Sequence, residues 1–107
     1  MNDIQHVEAA RALAARTLTE ADAEDAARIE WLYKTILGRP PSAKEAAIVA
    51  ELIAGNRARY DADPEAASQA IAHGESRPPA GLAPRELAAW TLVANLMLNL
   101  DETITRN

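Results

Sequence analysis

The residues with the most chemical potential lie near the end of the chain, where Asn95, Asn99, Asp101 and Glu102 punctuate an otherwise aliphatic run. Asn95 and Asn99 are four apart, so a helix places them on one face. Amide and carboxylate oxygens of this kind bind hard cations or polar ligands. The same groups also hydrogen-bond neighbouring loops at a helix end, as buried amides must. Both readings stand at this level. Arg39 follows Gly38 at a turn, and its planar fork suits a carboxylate or a bound anion. The expected partner is Asp101 or Glu102, which would clamp that turn to the last helix.

Other chemistries find no support. The chain has no cysteine and two histidines, His6 and His73, without His-x-x-x-His or Glu-x-x-His spacing. No metal site is expected from them. No nucleophile elbow, phosphate loop or paired-carboxylate motif occurs, so neither a catalytic residue nor a cofactor is implied. Trp31 is a different kind of candidate. It falls opposite the apolar stripe of its own helix, and a large aromatic on a polar face marks a contact surface unless the first helix or the Pro78-Pro79 loop covers it.

The spacing of apolar residues predicts five helices in an all-α bundle. The first covers roughly Asp3 to Leu18, with Val7, Ala10, Ala14 and Leu18 on one stripe. Thr19 or Asp22 is the expected cap of the second, whose stripe Ile29, Leu32, Tyr33, Ile36 and Leu37 ends at Gly38. Pro40-Pro41 stop it, and Ser42 with Glu45 forms a capping box for the third. That helix presents Ala46, Val49, Ala50, Ile53 and Tyr60, with a bend or fraying expected at Gly55-Asn56. Asp63 and Pro64 open a short fourth helix that Gly74 closes. The fifth runs from about Ala83 to Leu100 and is apolar nearly all round, so it is the expected hub. The polar tail beyond it is expected to fray.

Composition agrees. Of 107 residues 25 are alanine and none is phenylalanine; alanine favours helices over strands, and small side chains make helices approach closely. The length fits one domain, 1–107. A net charge of −5, with 11 basic residues scattered among 16 acids, disfavours nucleic acid as a partner. No apolar run is long enough to span a membrane, and Met1 to His6 lack the pattern of a secretory signal.

Two segments carry a resemblance. Leu32-Tyr33-Lys34-Thr35-Ile36-Leu37-Gly38-Arg39-Pro40-Pro41, with Glu45 beyond it, and Trp90 through Asn99-Leu100-Asp101-Glu102 resemble the C-terminal domain of unknown function of large planctomycete-type proteins that often carry a cytochrome-c-like domain. His73-Gly74-Glu75-Ser76 and the Val7-Glu8-Ala9-Ala10-Arg11 stretch match it in order. The resemblance implies an exported, multi-domain parent of which this chain is the last piece. The expected function is therefore a non-catalytic helical module that packs against other domains of that parent or a protein partner. The alternative is an accessory part of an active site, polysaccharide-related, to which Arg39, Asn99, Asp101 and Glu102 would contribute. A helix-turn-helix regulator is a weak third, because Glu45 and Glu51 make an acidic recognition helix. The oligomeric state is not specified by the sequence.

Overall fold

A computed structural model describes residues 4–71 and 81–105, with side chains over 8–71 and 81–99. Five helices follow one another: α1 (Ile4–Glu20), α2 (Asp25–Leu37), α3 (Ala43–Ala62), α4 (Pro64–Ile71) and α5 (Pro84–Thr105). No strand occurs among the described residues, and the architecture is an all-α bundle. Helix α5 packs against each of the other four, as its apolar content requires.

The stops and starts have local causes. Gly38 adopts φ 74° and donates its N–H to the Lys34 carbonyl at 3.1 Å; a side chain there would be strained. Across the turn, Ser42 Oγ accepts from the Glu45 N–H at 3.1 Å while a Glu45 carboxylate oxygen accepts from the Ser42 N–H at 2.9 Å. The capping box expected from the sequence is complete. Asp63 caps α4 by accepting from the Ala66 N–H at 3.2 Å.

Three expectations need correction. Helix α2 starts at Asp25, and neither Thr19 nor Asp22 caps it. Its N-cap is Glu24, without a side-chain bond, and the Thr19 hydroxyl instead donates back along α1 to the Ala15 carbonyl at 3.0 Å. Helix α3 passes through Gly55-Asn56 without interruption. The buried Ile53 and Tyr60 on either side anchor it to the core. Helix α5 continues to Thr105 rather than ending near Leu100, because no Gly or Pro follows Leu100 to stop it. The expected end of α4 at Gly74 lies outside the described residues.

The core is built from small residues around a few large ones. Trp90, Leu32, Ile53, Leu87, Met97 and Val93 are its largest fully buried side chains, and Ala10, Ala14, Ala67, Ala88, Ala89 and Ala94 fill the close approaches between helices. Each large apolar side chain contributes about 1.5–3 kcal/mol by leaving water. Arg11 is buried on α1 and donates to the Ile71 carbonyl at the end of α4. A cation there satisfies an orphan carbonyl and complements the helix dipole.

Candidate interaction surface

Arg39 makes the bidentate pair expected of it, but with Glu45 rather than Asp101 or Glu102. Its two terminal nitrogens reach the two Glu45 oxygens at 2.8 and 2.9 Å, and the guanidinium lies over the Tyr33 ring at 5.6 Å. The physical reason is proximity, since the capping box already fixes Glu45 at the mouth of the turn. Arg39 and the Ser42 N–H together hold the Glu45 carboxyl down, to about 2. The clamp braces the α2–α3 turn locally.

Asn95 and Asn99 share a face of α5, both half-buried. Asn95 lines a hollow of about 280 Å³ with Arg59, Tyr60, Ala70, Thr91 and Leu92, and its Oδ1 is buried with no donor among the described residues. The side chains of Asp101 and Glu102 lie outside the described residues, so the expected oxygen cluster reduces here to the two amides. Among the described residues no three His, Asp or Glu side chains converge as metal ligands. No helix there is long and apolar enough to cross a membrane.

Trp31 is half-buried. Arg16 of α1 lies over its ring at 5.2 Å, so the first helix covers one side. The other borders a hollow of about 310 Å³ with Glu20, Asp22, Glu30 and Lys34. Two of those acids are already engaged, Glu20 by Arg16 at 2.9 Å and Glu30 by Lys34 at 2.8 Å. The Pro78-Pro79 loop lies outside the described residues.

A second partly uncovered surface is one that the sequence reading missed. Ile48 and Leu52 on α3 are 49% and 38% exposed, and Leu92 and Leu96 on α5 are 37% and 44% exposed. Helix α5 is therefore not wrapped on every side. Each pair is four apart, hence one turn apart on one face. The two helices run antiparallel: Arg57 meets Glu86, the Asn56 amide reaches the Ala89 carbonyl at 3.4 Å, and Ile48, Leu52, Val93, Leu96 and Met97 border one hollow of about 180 Å³. The signal was present in the sequence, because Ile48 and Leu52 fall outside the Val49–Ile53–Tyr60 stripe. That α5 leaves the flank beside them open could not be read from α5 itself.

At the far end of the same two helices, Arg57, Arg28 and Arg85 engage the carboxylates around them. Arg57 chelates Asp25 of α2 at 2.6 and 2.8 Å and Glu86 of α5 at 2.7 and 2.8 Å. Arg28 approaches Glu86 at 3.5 Å and lies over the Trp90 ring at 5.9 Å; Arg85 adds Asp61 at 2.9 Å. Hydrogen bonds from Arg57 push the Asp25 and Glu86 carboxyls below their ordinary values against the opposing effect of burial.

No family model, curated protein or solved structure matches the chain.

Proposed function

We propose that the chain is a non-catalytic helical module that docks other polypeptide through the face shared by α3 and α5. The docked polypeptide is another domain of a larger exported protein, in keeping with the resemblance of the Leu32–Glu45 and Trp90–Glu102 segments, or a separate protein partner. The observation that supports this reading is the contiguous aliphatic face of Ile48, Leu52, Leu92 and Leu96. Single exposed aliphatics are ordinary, whereas a contiguous apolar surface marks a binding site. The reading as an accessory part of an active site draws no support from Arg39, whose fork Glu45 occupies.

The test is to prepare the remaining domains of the parent polypeptide separately and mix them with this chain. Amide exchange should slow along α3 and α5 beside the four aliphatics and stay unchanged in α1. Absence of association, or protection confined to the Trp31 side, would refute the proposal.

A further inference from the structure

Resting on that reading, the charge around the aliphatic face indicates what it takes. Nine Lys and Arg side chains fall within the described residues. Seven of them already hold a carboxylate or a carbonyl oxygen of this chain. The other two, Lys44 and Arg59, pair with no carboxylate among the described residues, and Arg59 only lies over the ring of its neighbour Tyr60 at 5.7 Å. At 100° per residue, Lys44, Ile48, Leu52, Gly55 and Arg59 form one continuous stripe on α3. The unpaired cations thus bracket the exposed aliphatics, about 22 Å apart along the axis at 1.5 Å per residue. Gly55 sits within the stripe, and a Cβ added there would meet nothing within 4 Å. Glu51 borders this stripe, about 20° from Lys44 on the edge farther from Leu52, and Arg39 neutralises Glu45 at the rim.

We propose that the groove between α3 and α5 seats one amphipathic helix of a partner polypeptide, about four turns long, with an apolar stripe facing Ile48, Leu52, Leu92 and Leu96 and acidic residues at both ends. Two antiparallel helices with one-turn apolar spacing offer the seat that helix-in-groove recognition uses. The bare backbone at Gly55 lets the incoming helix approach closely. The acids at its ends meet Lys44 and Arg59. The screening length at physiological salt is about 8 Å, so a seated helix senses those two cations rather than the net charge of −5. A second copy of this chain fits poorly. Antiparallel self-pairing of α3 about Leu52 would set Lys44 of one copy against Arg59 of the other, twice over.

Two synthetic helical peptides of about sixteen residues, sharing a leucine stripe and differing only in Glu or Lys at both ends, test this by titration with the whole chain. The Glu-ended peptide should bind at least about tenfold tighter than the Lys-ended one. The double variant Lys44→Glu/Arg59→Glu should invert that preference. Gly55→Leu, whose side chain enters open space on a helix, should hold or raise the thermal midpoint yet weaken the Glu-ended peptide at least about tenfold. Equal binding of both peptides, no binding of either, or indifference to Gly55→Leu overturns the helix proposal. So does sedimentation that shows the free chain to be a dimer dissociated by Leu96→Asp, because a second copy would then hold the groove. Failure here with protection of α3 and α5 by the parent's domains would leave the docking reading standing. Peptide binding without domain association would do the reverse.

Discussion

Helices α3 and α5 touch twice, and the two places are opposites. Around Arg57 the charges satisfy one another: one guanidinium joins three helices through Asp25 and Glu86, and Arg85 extends the set to Asp61. Around Leu52 and Leu96 the aliphatics are covered only in part, and Lys44 and Arg59 pair with no carboxylate among the described residues. In the first place the charged groups answer one another and hold helices together, although Arg28 Nε and Trp90 Nε1 there are buried without a hydrogen-bond partner among the described residues. The second exposes apolar surface to water and leaves charge uncompensated, both of which a partner would relieve. A region that closes its own interactions is structural; one that leaves them open, on the same two helices, is where function is to be sought.

The sharpest way to break this contrast is to remove the guanidinium. Arg57→Ala leaves Asp25 and Glu86 to the longer approaches of Arg28 and Arg85, and thermal denaturation should show a loss of about 2 kcal/mol, less than for a fully buried pair because the site is partly solvated and other cations remain. A loss no larger than that of an ordinary surface substitution would remove the distinction. Acid should act on the same side of the comparison. Folding lowers the carboxyls of Glu45, Asp25 and Glu86, so their stabilisation is fully present above about pH 4.5. It is lost as pH falls through the folded values, that of Glu45 near pH 2. The thermal midpoint should drop steadily over that window, and Arg57→Ala should remove the Asp25 and Glu86 part of the fall while leaving the Glu45 part.

Smaller effects test the individual turns and the open face. Ser42→Ala deletes one acceptor of the capping box and should cost about 1 kcal/mol. Gly55→Ala should raise stability by about 0.4–1 kcal/mol in chemical denaturation, because the position is helical and open and alanine restricts the unfolded chain. Leu96→Gln should change stability least, by about 0.5 kcal/mol or less, since Leu96 is 44% exposed. A large loss from Leu96→Gln would mean that the open face is core, and the contrast would fail.

Much of the architecture was legible from local pattern. Ile29, Leu32 and Tyr33 of the α2 stripe and Val49, Ile53 and Tyr60 of the α3 face are buried as their spacing requires, while Ile36, Leu37 and Ala46 are half-buried and Ala50 is exposed; Gly38, Ser42, Glu45 and Asp63 do at the turns what their chemistry dictates. The cap of α2 was misread because Thr19 and Asp22 are both competent caps, and a cap is chosen by where the chain turns. Arg39 was assigned the wrong partner for a related reason. Its fork needs a carboxylate, but three were eligible, and the capping box had already delivered Glu45 to the turn. The candidate site was harder still. Trp31 was legible because it departs from its own helix's period, whereas Leu92 and Leu96 follow an all-apolar period that reads as burial.

The sequence by itself determined the five helices, the Gly38–Glu45 turn and the central place of the last helix, because those follow from backbone chemistry and periodicity within one segment, whereas the start of α2 and the end of α5 did not. Only the tertiary structure decided which apolar side chains remain uncovered and which cations remain unpaired. Burial and pairing depend on residues thirty or more positions away in the chain, as Arg57 with Asp25 and Asn56 with Ala89 illustrate, and no local spacing encodes which of several suitable neighbours the folded chain will supply.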